Sequence, residues 1–251
     1  MRVDLNADLG ESYGPWVMGR DAELLGIITS ANVACGLHAS DPDVMAKTFA
    51  LAREKSVSVG AHPGFADIQG FGRRRMSLSA AELANLVTYQ IGAAEGMARA
   101  AGLQLHHVKL HGALANMCSE DIEMARACYG AVRAITPNIR VMVIAETAQQ
   151  AAAKELGLTW RGEIFGDRAY NDDATLVDRK IPGAVIHDPT LAGPRMAEMI
   201  REGAIISTSG KRIPAKIDTI CLHGDTAEAV ELAASVRAAL ETTGVTIQRF
   251  D

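Results

Sequence analysis

The residues with the clearest chemical potential begin almost at the start of the chain. The stretch DLNADLGES, residues 4–12, places Asp4, Asn6 and Asp8 at every second position. Successive side chains of a β-strand point to opposite faces, so these three share one face of a predicted strand and apolar residues occupy the other. Three polar groups in a row need hydrogen-bond partners. On an exposed edge strand water would be the partner, whereas on a buried strand the three groups would have to line a site.

Further polar residues fall where other predicted β-strands end. They are Asn32 and His38 in ANVACGLHASDP, His62 in GAHPGF, Lys109 and His111 in HHVKLHGAL, Glu163, Asp167 and Arg168 in EIFGDRAYNDD, and His223 and Asp225 in CLHGD. In parallel α/β proteins the site is built at the carboxyl ends of the strands. We therefore expect these residues to face one pocket together with Asn6 and Asp8.

Lys109 and His111 are two residues apart and should project from one strand toward the same space. A lysine in that position suits a substrate carboxylate or a developing oxyanion, and an imidazole can move protons near neutral pH. Neutralisation of a buried aspartate is an equally good explanation for Lys109 alone.

Two other kinds of site are compatible with these residues. Asp8, His38 and His62 would make a carboxylate and two-imidazole metal site, although no two of them have a local ligand spacing. Arg73, in GFGRRRM, belongs either to a solvated loop or to a clamp on a carboxylate or phosphate above the pocket. His106 and His107 enter their strand at its other end and His187 precedes a helix cap, so we interpret these three as structural.

Composition excludes several classes of function. The chain has 251 residues, 48% hydrophobic and 22% charged, with a formal net charge of −5. This acidic balance argues against nucleic acid or an anionic membrane surface as a partner. The start of the chain lacks the apolar segment of a signal peptide, no apolar run is long enough to cross a bilayer, and the four cysteines have no CxxC spacing. We expect a cytoplasmic protein with reduced, mostly buried thiols.

The elements that must position these residues alternate regularly. Helical patterns cover about 43–55, 80–101, 120–135, 148–156, 190–202 and 227–242. Short β-prone runs lie between them at 2–9, 30–36, 57–62, 106–111, 140–145, 160–165, 183–187 or a neighbour, 218–223 and 245–250. This alternation predicts a single α/β domain over residues 1–251, with seven or eight units in a closed, parallel, TIM-like (β/α) barrel, which we favour over an open doubly wound sheet.

At these motifs the sequence resembles the LamB/YcsF family over essentially its whole length. The resemblance rests on DLNADLGES, SANVACGLHASDP, GAHPGF, FGRRRM, YQIGA, HHVKLHGAL, EIFGDRAY, LVDR and CLHGD, in this order. It departs from the family pattern at Leu37, Ser40, Leu110 and Ala115. The departures at Leu110 and Ala115 are expected to alter the walls of the pocket and therefore the choice of substrate.

The resemblance implies a distorted (β/α) barrel similar to that of glycoside hydrolases and polysaccharide deacetylases. It also implies the A-type subunit of an ATP-dependent 5-oxoprolinase, a hydrolase that opens 5-oxo-L-proline to L-glutamate with two partner subunits of the B and C types, ATP and Mg²⁺. The chain has no P-loop motif, which fits ATP activation by the partners.

Within that activity, Asp8 or His111 would activate water, and Lys109 would stabilise oxyanion or phosphate charge. Substrate binding would fall to Asn6, Asn32, His38, His62, Arg73, Glu163, Asp167, Arg168, His223 and Asp225. Two other functions stay open, namely a metal-dependent deacetylase or amidohydrolase and a non-catalytic subunit that binds substrate.

Overall fold

The computed structural model describes residues 1–224 and 228–251, and its centre is a closed barrel of seven parallel strands. The barrel strands are β1 (Arg2–Leu9), β2 (Ser30–Ala34), β3 (Ser58–His62), β4 (His107–Lys109), β5 (Arg140–Ile144), β6 (Thr159–Phe165) and β9 (Thr219–Leu222). Each strand pairs in parallel with the next in this order, and β9 pairs with β1 to close the ring. The predicted TIM-like barrel is confirmed.

Helices cover the outside of the strands. They are α1 (Asp21–Leu24), α2 (Pro42–Glu54), α3 (Ala80–Ala100), α4 (Gly112–Glu120), α5 (Ile122–Ile135), α6 (Ala148–Glu155), α7 (Pro189–Glu202) and α8 (Ala229–Thr242). Local capping fixes where several begin: the Asp41 carboxylate accepts from two backbone N–H groups of α2, and Ser79 and Glu82 form a capping box on α3. No helix in the described part of the chain is both long and apolar enough to cross a membrane.

β1 is buried on both faces, which answers the question raised by its alternating pattern. Its apolar residues, Val3, Leu5, Ala7 and Leu9, belong to the hydrophobic core between the barrel and the helices. Its polar residues make their hydrogen bonds to side chains of β2, β6 and β9 across the inside of the ring. The polar face therefore lines the barrel interior, and the exposed edge strand is excluded.

The structure departs from the expected elements between β6 and β9. Residues 183–187 form no strand, and the chain turns there at Gly183, whose φ is +84°. The strand in this part of the chain is β7 (Ala204–Ile206), which pairs antiparallel with β8 (Arg212–Pro214) outside the barrel. The last run is short, since β10 (Thr246–Ile247) only adds to the amino end of β1. The barrel consequently closes with seven strands.

Candidate active site

The amino end of the barrel interior holds a buried carboxyl group surrounded by hydroxyl groups. Asp4 accepts hydrogen bonds from Thr29 (2.6 Å), Ser30 (2.7 Å) and Thr219. Burial raises the pKa of Asp4 to about 6, because three neutral donors compensate only part of the lost hydration. This layer is an enclosed polar core beneath the site.

Lys109 occupies the middle of the barrel and is nearly inaccessible to solvent. Its Nζ lies 2.9 Å from Asp8 Oδ1, 3.0 Å from Glu163 Oε1 and 2.9 Å from Cys221 Sγ. Burial alone lowers the pKa of the ammonium, but Asp8, Cys221 and Glu163 outweigh burial and raise the pKa well above its usual value. An ammonium has three N–H donors, and protein acceptors engage them all. Lys109 therefore serves first as the counterion of two buried carboxylates.

Amide side chains connect this ion pair to the strands on either side. Asn32 donates from Nδ2 to Asn6 Oδ1 (2.7 Å) and to Asp8 Oδ1 (2.9 Å), and Asn6 donates to Glu163 Oε1 (3.0 Å). The Asn32 oxygen in turn accepts from His107 Nε2 at 2.7 Å. His107 is thus structural, as expected, and it sets the orientation of Asn32 from below.

Asp8 lies at the upper end of the network, where one carboxylate oxygen faces two histidines. Oδ2 is 3.3 Å from His62 Nε2 and 3.9 Å from His223 Nε2. Burial alone raises the pKa of Asp8, but His62 and Lys109 outweigh it and hold the pKa well below its usual range. Asp8 is therefore ionised at neutral pH.

Three histidines and one glutamate gather beside Asp8, and we call Glu11, His38, His62 and His111 the imidazole cluster. The rings of His38 and His111 stack with centroids 3.7 Å apart, and His62 meets His111 edge-on. One ligand atom from each of the four residues lies within 4.8 Å of the others, a spacing that can hold a metal ion. Burial and the neighbouring histidines lower the pKa of His38 and of His111 well below the usual value, which favours neutral rings.

Two glycines allow the loop after β3 to close over the imidazole cluster. A Cβ on Gly64 would lie 2.7 Å from His38 Nδ1, and a Cβ on Gly72 would lie 2.8 Å from His111 Cδ2. The φ of Gly72 is +63°, which side chains rarely adopt. The motifs GAHPGF and GFGRRRM therefore contribute polar side chains and also glycines that let the backbone approach the imidazole rings closely.

On the opposite side of Asp8, a carboxylate orients a fourth histidine. Both carboxylate oxygens of Asp167 accept from His223 Nδ1, at 2.7 and 2.8 Å. Burial alone would raise the pKa of Asp167, but His223 outweighs burial and the pKa is lowered. His223 Nε2 faces Asp8 and lies 3.4 Å from Arg179 Nη2. A carboxylate that fixes one imidazole nitrogen leaves the other in the tautomer that accepts a proton.

A cavity of about 1140 Å³ opens above these groups at the carboxyl ends of the strands. Asp8, His62, Lys109, His111 and His223 line it. Its outer wall includes Arg73, Arg168, Arg179, Leu110 and Ala115. Leu110 and Ala115, two of the positions at which the sequence departs from the family pattern, therefore both line the cavity.

The structure brings most of the expected site residues together, with some differences in their surroundings. Arg168 donates to the carbonyl groups of Val177 (2.6 Å) and Ala184, so it holds the loop after β6 while its edge lines the cavity. Burial and Arg179 lower the pKa of Arg168 to about 10. Arg73 places its guanidinium over the Phe71 ring, 4.9 Å from the centroid. Asp225 lies outside the described residues.

Three contributing residues were not among the expected site residues, namely Glu11, Thr219 and Cys221. Thr219 and Cys221 precede His223 at two-residue intervals, so the period of a strand already placed them on the site face. Glu11 follows the first strand in the opening motif, but its grouping with histidines depends on loops distant in sequence. The predicted metal set of Asp8, His38 and His62 differs from the observed grouping, because Asp8 groups instead with Cys221 and His223.

Comparison with known proteins assigns the family. The model of the LamB/YcsF family matches residues 3–251. A protein from Ruegeria pomeroyi, named as the A-type subunit of 5-oxoprolinase, is 65% identical over 250 residues, which cover 100% of this chain and 99% of that protein. The crystal structure of the Lactam Utilization Protein from Thermus thermophilus is 43% identical, covers 100% of both chains and has a TM-score of 0.93. A structure described as T48 deacetylase with substrate is similar in fold alone, with 13% identity, a TM-score of 0.50 and coverage of 99% of this chain and 87% of that one. The chain therefore belongs to the LamB/YcsF family.

Proposed function

We propose that this chain is the A-type subunit of an ATP-dependent 5-oxoprolinase and that it carries out the ring-opening step. The substrate is 5-oxo-L-proline, the product is L-glutamate, and ATP is cleaved to ADP and phosphate by the complex that this chain forms with two partner subunits. Relatives named as A-type subunits of 5-oxoprolinase support the proposal, since they match nearly the whole chain at 47–65% identity. The solved relative named for lactam utilization points to the same class of bond.

The observation that carries the proposal is the meeting, in one cavity wall, of an ionised carboxylate and a carboxylate-oriented imidazole. Asp8 and His223 both line the cavity, with Asp8 Oδ2 3.9 Å from His223 Nε2. Hydrolysis of a lactam adds water at the carbonyl carbon, breaks the bond to the ring nitrogen and puts a proton on that nitrogen. An imidazole held by Asp167 can accept the proton from water and return it to the leaving nitrogen.

Asp8 and Lys109 then have linked roles. Asp8 orients water or the ring N–H of the substrate, and it suits this role better than His111, whose two ring nitrogens already face Phe71 and His62. Lys109 keeps Asp8 ionised and is a positioning residue, because its donors are engaged within the barrel. Asn6, Asn32 and Glu163 hold this pair in place, and Arg73 offers a positive charge for a carboxylate or phosphate at the mouth.

Coupling to ATP fits the chemistry of the substrate. A five-membered lactam is a stabilised amide, and phosphorylation of its carbonyl oxygen would make a better electrophile. Addition of water and cleavage of the ring C–N bond would then leave an acyl phosphate of glutamate, and a second water would release glutamate and phosphate from it. We assign that activation, with its Mg²⁺, to the partner subunits and the hydrolytic step to this chain. Turnover of 5-oxoproline and ATP by the isolated chain would overturn this division.

The test measures glutamate release from 5-oxoproline and ATP by this chain alone, by the partner subunits alone and by the reconstituted mixture. We expect release only from the mixture, and we expect both Asp8→Asn and His223→Gln to lower kcat at least 100-fold while the complex still assembles. His187→Gln is the matched control, since it removes an exposed imidazole. Absence of release from every combination would overturn the assignment of substrate.

The same variants separate catalysis from mere binding. If this chain only delivers substrate, Asp8→Asn will raise KM and leave kcat unchanged in a saturated complex. A metal-dependent amidohydrolase would instead act on a small amide without ATP or partners and would lose activity with chelator. Either result contradicts the proposed mechanism.

A further inference from the structure

The hydrogen bonds around the imidazole cluster leave an electrostatic problem between two of its rings. His62 Nδ1 lies 2.9 Å from the carbonyl oxygen of Lys109, and His111 Nε2 lies 2.8 Å from that of Phe71. A carbonyl oxygen only accepts, so these two nitrogens carry the ring hydrogens. In neutral rings His62 Nε2 and His111 Nδ1 are then both lone pairs, and they face each other at 3.0 Å. Two acceptors at this distance repel unless a proton or a metal ion lies between them.

His38 adds a second, independent sign that the protein atoms alone do not complete this cluster. Its side chain is fully buried, and neither ring nitrogen has a hydrogen-bond partner among the described residues. A buried polar atom without a partner costs about 1–3 kcal/mol. The same ring has its Nε2 4.0 Å from Glu11 Oε1 and stacks on His111, so it belongs to the group that surrounds the facing lone pairs.

Three separations among the four donors are ones that a single ion can satisfy. Two ligands about 2.1 Å from a metal lie about 3.0 Å apart when adjacent in an octahedron and about 4.2 Å apart when opposite. The separations here are 3.0 Å between His62 Nε2 and His111 Nδ1, 3.7 Å between His111 Nδ1 and Glu11 Oε1, and 4.0 Å between Glu11 Oε1 and His38 Nε2.

We propose that the imidazole cluster binds one divalent first-row transition-metal ion, with Glu11, His38, His62 and His111 as its protein ligands. Three imidazoles and one carboxylate suit Zn²⁺, Mn²⁺, Fe²⁺ or Co²⁺, whereas Mg²⁺ and Ca²⁺ prefer oxygen ligands. The carbonyl groups of Lys109 and Phe71 then act as the outer partners that fix the tautomers of two ligands. This ion is distinct in class from the Mg²⁺ that accompanies ATP.

The proposed ion would be reachable from solvent and close to the acid–base groups. Glu11, His62 and His111 line the cavity, and His62 Nε2 lies 3.3 Å from Asp8 Oδ2. Remaining coordination positions would suit water or a carboxylate oxygen of a small ligand. The inference does not depend on the proposed function, because it rests only on the cluster.

The test measures metal in the isolated full-length chain, without 5-oxoproline, ATP or partners. The purified protein is stripped with chelator, dialysed and titrated with Co²⁺, whose visible absorption reports nitrogen ligation, and the content after refilling with Zn²⁺ or Mn²⁺ is measured by inductively coupled plasma mass spectrometry. We expect one ion per chain and a rise in Tm with metal concentration. An intact, folded chain that takes up no Co²⁺, Zn²⁺ or Mn²⁺ at 0.1 mM, about a hundredfold above a micromolar Kd, would overturn the proposal.

Substitutions distinguish this donor set from others. Glu11→Gln and His38→Gln preserve size and should weaken Co²⁺ binding more than tenfold, while the surface control His187→Gln should not change it. Asp8→Asn should keep one ion per chain, because Asp8 is outside the donor set. Loss of the ion in Asp8→Asn with retention in Glu11→Gln would contradict the assignment of ligands, and this comparison stays valid if His38→Gln does not fold.

Discussion

Replacing Lys109 with methionine tests whether one ammonium is what permits two carboxylates inside the barrel. Methionine fills similar space but removes the charge that lies 2.9 Å from Asp8 and 3.0 Å from Glu163. Removing one partner of a buried ion pair costs about 3–5 kcal/mol, because the remaining charge is left without compensation in a medium of low polarity. We expect the free energy of unfolding at pH 7.5 to fall by about that amount.

The loss should depend on pH in a direction that the structure dictates. In the folded wild type the pKa of Asp8 is well below its unfolded value of 3.8. The ion pair with Lys109 therefore contributes its full stabilisation above pH 3.8, and this stabilisation is lost only as the pH falls through the folded-state pKa of Asp8. Lys109 is one of the charges that lower the pKa of Asp8, so without it Asp8 takes up a proton at higher pH. The difference between variant and wild type should therefore shrink between pH 7.5 and pH 5.

Urea unfolding followed by circular dichroism at several pH values measures both effects. Adding Glu163→Gln to Lys109→Met removes one uncompensated charge and should recover part of the loss. Lys216→Met is the matched control: this lysine is 59% exposed beside Asp218, and its removal should change little. A loss below about 1 kcal/mol for Lys109→Met, equal at all pH values, would refute the buried ion pair as the organising element of the barrel.

Three further predictions concern groups around the site. The pKa of Asp4 is about 6 in the folded chain against 3.8 in the unfolded chain, so the wild type should lose about 2 kcal/mol of stability as the pH rises from 4 to 8. Asp4→Asn should remove this dependence in urea unfolding, and parallel pH profiles for the two proteins would contradict it. Gly60→Ala puts a Cβ 2.3 Å from the His107 ring and should lower the free energy of unfolding by about 1–3 kcal/mol. Gly96→Ala, in α3 with open space around it, should raise the free energy of unfolding by about 0.5–1 kcal/mol. Tm values that shift in the same direction for both variants would rule out this steric reasoning. Burial raises the pKa of the Cys35 thiol to about 12. Iodoacetamide at pH 8 should therefore leave Cys35 unmodified in the folded chain and label it in urea, which mass spectrometry measures. Rapid labelling of Cys35 in the folded chain would be inconsistent with this burial.

Much of the fold could be predicted because its signals are local. All seven barrel strands were predicted from short apolar runs with a period of two, and the helices α2, α3, α5, α6, α7 and α8 from runs with a period of about 3.6. The stretch between β6 and β9 was the exception. Its β-prone residues at 183–187 are interrupted by Gly183, and the true strand, β7, pairs with β8 and never reaches the barrel.

The candidate site was predictable as a set and unpredictable in its contacts. Asp8, His62 and His223 were expected in one pocket, and their distances bear out that they are neighbours. The carboxylate of the imidazole cluster was expected to be Asp8, whereas Glu11 occupies that place. Asp8 points inward from β1. Glu11 lies just beyond the end of that strand, beside three histidines that come from the carboxyl ends of β2, β3 and β4.

The sequence alone determined which residues share a face, because the alternation of side chains along a strand needs no knowledge of other strands. It therefore predicted that Asp4, Asn6 and Asp8 share one face, and that Lys109 and His111 project toward the same space. Tertiary structure alone decided what those faces meet. Lys109 and Asp8 are 101 residues apart and touch only because seven strands close at one register, and a register shifted by one residue would turn both side chains out of the barrel.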